Sequence, residues 1–111
     1  MRQWLVNPEM LCRKHLLGEH VEHHMFVGSI KKGFSVEGYL RAGFFEPRTL
    51  QRRHDEIAQE MMRRGYNHKS PLADIDTSHL RDGEINITRN IADLRNRCKD
   101  CAVRISEIEN R

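Results

Sequence analysis

The sequence lacks any long apolar run. Its first residues, from Met1 to Val6, are too short and too mixed in polarity for an export signal or a membrane span, so no membrane partner is expected. Only 3 prolines and 7 glycines occur among 111 residues, which excludes a collagenous or linker-like chain. Cysteine is also scarce, and an odd number of 3, without an export signal, predicts reduced thiols and a cytoplasmic protein.

What is present is the composition of a globular domain. Apolar residues make up 38% and charged residues 32% of the chain, and a length of 111 residues predicts one compact domain, 1–111, which we expect to be a monomer. The net charge is only +3, but 14 of the 19 basic residues are arginine. Because the planar guanidinium group suits phosphate, this bias favours an anionic partner.

Two stretches of helical periodicity have recognisable ends. The first begins at Asn7, which can cap a helix whose first position is a proline, and it weakens near Gly28 or Gly33. The second runs from Pro47 to Arg64 and is ended by the glycine that follows. We therefore expect a helix over each of these stretches.

A third helix is predicted from near Asn86 or Thr88 towards the C-terminus, and no stretch is typical of a strand. Two long loops, 33–46 and 66–83, separate the three helices. The sequence thus predicts an all-α fold, a single compact domain of three main helices with two long loops.

Two sets of residues have part of a metal-binding pattern. His20 and His24 have the i, i+4 spacing of zinc ligands, but Glu22 lies between them instead of directly after the first histidine, as a zincin helix requires. Cys98 and Cys101 form half a zinc knuckle without a second cysteine pair, and such cysteines more often fill a helix core. We expect solvated or DNA-facing histidines, core cysteines and no metal, and a His/Cys metalloprotein is the least favoured alternative.

Glu19 and Glu22 lie on the same helical stripe as His15, Leu11 and Phe26. Two carboxylates that face a core are costly. Unless they are solvated or paired with arginine, one of them should have a raised pKa, which is what a general acid or base requires. A surface stripe of salt bridges is the alternative interpretation.

Basic residues accumulate on the second helix and just beyond it. They are Arg48, Arg52, Arg53, Arg63, Arg64 and Lys69. Such a set is usually a solvated face, but the preceding loop, 33–46, holds four of the seven aromatic residues, which could stack on bases or wedge between them. The combination favours a nucleic-acid partner.

Two segments resemble the pyrimidine-dimer DNA glycosylase family of the phage endonuclease V type. One is the opening helix from Leu11 to Glu22, in which a histidine, an acidic residue and a glutamate recur at the family's spacing. The other is the Arg-Gly-Tyr-Asn-His-Lys-Ser-Pro-Leu segment over 64–72, and a looser likeness to short bacterial members covers 85–101. The resemblance implies a helical fold with its N-terminus threaded between helices, and a glycosylase that is also an AP lyase.

In this family the nucleophile is the α-amino group of the first residue, which forms an imine with C1′ of the damaged nucleotide and needs no cofactor. An α-amine has an ordinary pKa of about 8 against about 10.4 for lysine, so more of it is neutral and nucleophilic at cellular pH. The resemblance places the amine on Met1, which is expected to be retained because Arg2 is large, and the proton-transferring carboxylate on Glu22.

The expected partner is double-stranded DNA that contains damaged or abasic nucleotides. Arg2, His15, Arg64, Asn67 and Lys69 match family positions that hold sugar and phosphate, whereas two arginines of the family's first helix correspond to Val21 and Met25. The full set of expected DNA-binding residues is Arg2, His15, Glu19, His20, His24, Arg64, Asn67 and Lys69. A catalytically silent DNA-binding module with the same fold is the main alternative.

Overall fold

A computed structural model describes all 111 residues and is all-helical, as predicted. It has five α-helices and two 3-10 turns, Pro8–Met10 and Pro47–Thr49. The α-helices are α1 (Arg13–Lys31), α2 (Glu37–Ala42), α3 (Leu50–Arg63), α4 (Ile87–Arg97) and α5 (Lys99–Glu109). None of these helices combines the length and the apolar character that a bilayer crossing needs.

The first predicted helix begins later than expected. Asn7 does cap, accepting a hydrogen bond from the backbone N–H of Glu9 at 3.1 Å, but it caps a 3-10 turn. The chain is then extended at Leu11 and Cys12, and α1 starts at Arg13. The extended step lets the Leu11 side chain enter the core, where it is fully buried.

The predicted third helix is two helices, because the chain is extended at Cys98 (φ −132°, ψ 111°). The Cys98 sulfur accepts a hydrogen bond from the backbone N–H of Cys101, so it caps α5. The break lets α5 fold back on the Pro8–Met10 turn.

The aromatic loop contains a short helix that its glycine-punctuated sequence does not predict. This helix, α2, ends at Gly43, whose left-handed backbone (φ +75°) needs a residue without a Cβ. The second predicted helix is confirmed as α3, which follows the Pro47–Thr49 turn and ends just before Gly65, another left-handed glycine (φ +84°).

Two clusters form the core. The first joins the N-terminal segment to α1, α3, α4 and α5, and its members include Trp4, Val6, Leu11, Leu16, Ile57, Met61, Leu94 and Ile105. The second lies under α2 and the far end of α1, where Phe26 stacks on Phe45 with ring centroids 4.0 Å apart. Because residues 1–6 run between these elements and bury Trp4 and Val6, the predicted threading of the N-terminus is confirmed.

Candidate active site

The N-terminal segment is fastened by Gln3, which is fully buried. Its backbone N–H donates to the Phe44 carbonyl at 2.8 Å, and its side-chain Nε2 donates to Thr49 Oγ1 at 3.2 Å. Its Oε1 accepts from the backbone N–H of Glu46 at 2.7 Å. These buried bonds hold the start of the chain at a defined place on the fold.

Met1 is therefore half-buried and packs against the second core cluster. It borders an open pocket of about 350 Å³ whose wall is mainly apolar. The other lining residues are Met25, Gly28, Ser29, Lys32, Phe34 and Tyr39. Phe34 is 63% exposed, so an aromatic ring stands free at the rim of this pocket.

Glu22 projects from α1 and is half-buried. Burial raises the pKa of its carboxyl group above the ordinary value, while the positive charge of the Met1 amine and the backbone N–H of Arg2 act in the opposite direction. The amine and the carboxylate are near enough to interact electrostatically but do not form a direct ion pair. This is the direction that the sequence predicts for one glutamate of the stripe.

Glu19, the other glutamate of the stripe, is 1% exposed and faces away from solvent. Arg53 donates to it twice, from Nε to Oε2 at 2.7 Å and from Nη2 to Oε1 at 3.1 Å. A third donor of Arg53, Nη1, reaches the carbonyl of Val6 at 2.7 Å. The pair ties α1, α3 and the N-terminal segment together, and Glu19 has no surface to offer DNA in this arrangement.

The sequence places Arg53 among the basic residues of a solvated face on the second helix, and this interpretation is wrong because the residue is 1% exposed. The signal that identifies it is its register: it lies three residues after Leu50 and four before Ile57, which places it on the apolar face of α3.

Arg2 is also committed to internal contacts. Its Nη2 donates to Asn90 Oδ1 at 2.6 Å and to Asp93 Oδ2 at 3.0 Å. Its guanidinium carbon lies 3.8 Å from the ring centroid of Trp4 and 4.5 Å from that of Phe44. Arg2 therefore anchors the N-terminal segment to α4, next to Glu22.

The predicted basic turn after α3 has one half-buried member, Arg64, and two exposed members. Arg64 donates to Glu60 and to the carbonyls of Pro8 and Leu11, so it holds the 3-10 turn in place. Asn67 and Lys69 are exposed. Of the DNA contacts predicted in this segment, Asn67 and Lys69 therefore have side chains that DNA can reach.

His20 and His24 lie within a group of four histidine rings. Nε2 of His20 is 2.9 Å from Nε2 of His68, and the ring centroids of His20 and His54 are 5.0 Å apart. Burial, and then the neighbouring imidazoles, lower the pKa of His20 to about 4. Because His20 is only 9% exposed, the expectation of a solvated or DNA-facing residue is wrong for it, whereas His24 is half-buried.

His15 lies apart from Glu22, since seven residues along α1 correspond to a rise of about 10 Å. Its Nδ1 is 3.2 Å from Cys12 Sγ and 3.5 Å from Cys101 Sγ, and its ring packs edge-on against Trp4. Burial is the main cause that lowers its pKa. The structure therefore brings His15 to the cysteines and not to the predicted catalytic pair.

The all-helical domain holds its own N-terminus within electrostatic reach of a half-buried carboxylate. The sequence model of the family described as pyrimidine dimer DNA glycosylase matches residues 1–74, which is two thirds of the chain. The protein belongs to this family, and its substrate class is DNA. Searches of curated proteins and of solved structures found no match.

Proposed function

We propose that the protein is a bifunctional DNA glycosylase and AP lyase that acts on damaged or modified pyrimidines in duplex DNA. The observation that carries the proposal is the half-buried Glu22 carboxyl group, whose pKa is raised and which lies within the electrostatic reach of the Met1 amine. Burial that raises the pKa of a carboxyl group makes its carboxylate a stronger base, which the abstraction of a sugar proton requires. Family membership supplies the substrate class.

In the proposed reaction the neutral amine of Met1 bonds to C1′ of the deoxyribose as the bond from C1′ to the base breaks, and the departing base takes up one of the two protons of the attacking nitrogen. The nitrogen loses a proton and O4′ gains one as the sugar ring opens, which leaves an imine between Met1 and C1′. Removal of a C2′ proton by Glu22 then expels the 3′ phosphate, and water hydrolyses the imine. No metal takes part in these steps.

A flipped nucleotide needs a place beside the amine, since C1′ cannot be reached inside an intact stack. The pocket beside Met1 provides an apolar wall from Met25 and Tyr39 and one cation from Lys32. The exposed ring of Phe34 at the rim is suited to stack on a base or to fill the gap that it leaves.

The face of α1 next to this pocket is the proposed DNA-facing surface. Val21 and Met25 lie one turn apart and are 54% and 50% exposed, and they occupy the sector of the helix between Glu22 and His20. Asn67 and Lys69 are proposed as phosphate contacts. The proposed roles of Arg2, Arg64 and Glu19 are to position the segments that carry the reacting groups.

Borohydride trapping on a duplex with one abasic site tests the mechanism. We expect a covalent adduct at the Met1 nitrogen, which selective acetylation of the α-amine abolishes. Glu22→Gln should lower turnover by about 100-fold or more, while DNA binding is retained. The matched control is Glu107→Gln, the same change at an exposed residue of α5, and it should leave turnover unchanged.

An adduct on a lysine, or one that survives acetylation, would refute the assignment of Met1. DNA binding without any turnover would favour the catalytically silent module instead. A panel of duplexes with dimers, oxidised bases and abasic sites would then identify the lesion.

A further inference from the structure

All three cysteines of the chain converge with His15 at one place. Cys12 and His15 lie at the start of α1, and Cys98 and Cys101 lie at the start of α5. Their three sulfur atoms and one imidazole nitrogen all lie within 4.8 Å of one another. Cys12-x-x-His15 is thus the partner half of Cys98-x-x-Cys101, and the two halves are 86 residues apart.

Three of the six distances among these atoms are close to those between the ligands of one tetrahedral metal ion. Zinc binds sulfur at about 2.3 Å and nitrogen at about 2.0–2.1 Å, so tetrahedral angles put two sulfurs about 3.8 Å apart and a sulfur and a nitrogen about 3.5 Å apart. The Cys12 and Cys98 sulfurs are 3.8 Å apart. His15 Nδ1 is 3.2 Å from the Cys12 sulfur and 3.5 Å from the Cys101 sulfur.

The surrounding backbone is arranged to stabilise thiolates. The backbone N–H of Cys12 donates to the Cys101 sulfur at 3.2 Å, and that of Cys101 donates to the Cys98 sulfur at 3.5 Å. Such outer hydrogen bonds orient metal ligands and disperse the negative charge of a metal-bound sulfur. The Trp4 ring, 5.8 Å from the His15 ring between centroids, limits the orientation of the imidazole.

Two simpler explanations fit the geometry less well. A disulfide requires sulfurs about 2.05 Å apart, so it does not match the 3.8 Å between Cys12 and Cys98, and it would leave one thiol over. A core stripe on one continuous helix does not account for the extended residue at Cys98, which separates α4 from α5 and points its sulfur at Cys12.

We propose that Cys12, His15, Cys98 and Cys101 bind one structural zinc ion through three sulfurs and Nδ1. Four protein ligands close the coordination sphere, which is typical of a structural site and leaves no position for substrate. The ion joins the start of α1 to the start of α5. It thereby fastens the C-terminal helices, which lie beyond the segment matched by the family model, to the helix that carries Glu22.

The test uses the full chain, purified under reducing conditions without chelators. We expect about one zinc ion per chain by elemental analysis, and an X-ray absorption spectrum with three sulfurs at about 2.3 Å and one nitrogen at about 2.0 Å. Replacement of the metal by Co²⁺ should give the visible bands of a tetrahedral thiolate site. Because a structural ion contributes folding free energy, a chelator should lower the melting temperature.

Matched variants assign the ligands. Cys98→Ser and His15→Ala should lose the metal, whereas His79→Ala, at an exposed histidine, and His54→Ala, in the histidine group, should retain it. Reduced wild-type protein that takes up neither Zn²⁺ nor Co²⁺ would overturn the proposal, as would a spectrum without sulfur ligands. The wild-type cobalt spectrum decides the question even if the cysteine variant fails to fold, and it does not depend on whether the protein is a lyase.

Discussion

Replacing Glu19 by glutamine removes one charge from a buried ion pair while keeping the shape of the side chain. Arg53 has a side chain that is 2% exposed, and Glu19→Gln leaves its charge without the two close carboxylate contacts at 2.7 and 3.1 Å. Breaking a buried pair from one side costs about 3–5 kcal/mol. Glu56, 3.3 Å from Arg53 but 42% exposed, compensates only in part, so we expect about 3 kcal/mol.

That loss is a large part of the free energy of unfolding, which is about 5–15 kcal/mol for a domain of this size. Equilibrium unfolding in urea at neutral pH and fixed salt measures it directly. Arg53→Met should cost a similar amount, because it strands the Glu19 carboxylate in the core. Arg52→Met is the control: this neighbour is 67% exposed, and its ion pair with Glu56 is worth at most about 1 kcal/mol.

The double variant, Glu19→Gln with Arg53→Met, removes both charges and should be more stable than the sum of the single losses predicts, by about 2 kcal/mol or more. Losses that simply add, or a loss below about 1 kcal/mol for Glu19→Gln, would refute the argument that burial makes the two residues interdependent.

Two further predictions concern pH and a single glycine. The pKa of His20 is about 4 when folded, against about 6.5 when unfolded, so the unfolded chain binds the extra proton. The free energy of unfolding should therefore fall as the pH drops from 6.5 towards 4, and His20→Gln should reduce this slope. An unchanged slope would contradict the assignment. A Cβ at Gly83 would lie 1.9 Å from the Phe45 carbonyl oxygen, so Gly83→Ala should lower the melting temperature. Gly18 lies inside α1 with open space around its Cβ position, so Gly18→Ala is the control and should raise the melting temperature, because alanine is more favourable than glycine within a helix. Equal effects from both glycine substitutions in calorimetry would show that the close approach at Gly83 is unimportant.

Several features follow from local sequence alone. The apolar periodicity of α3 and the glycine that follows it are local signals within one short stretch of sequence, so both ends of this helix are predictable within a few positions. The stripe that joins Glu19 to Glu22 places two carboxylates on the same helical face as Leu11 and Phe26. The same residues carry the resemblance to the glycosylase family, which the family match over 1–74 confirms.

Other features depend on contacts between distant parts of the chain. Periodicity shows which face of a helix is buried but not what it meets, and so it does not reveal that Arg53 neutralises Glu19 while Glu22 is left without such a partner. The commitment of Arg2 to Asp93, 91 residues away, is equally invisible in the sequence.

The proximity of Cys12 and Cys98 also depends on the tertiary structure, since each residue by itself only precedes the first turn of a helix. They form one constellation only because the Pro8–Met10 turn packs on α5 and the chain breaks after α4. A short-range pattern constrains a residue's neighbours within a few positions, whereas a site built from both ends of a chain depends on how the helices pack.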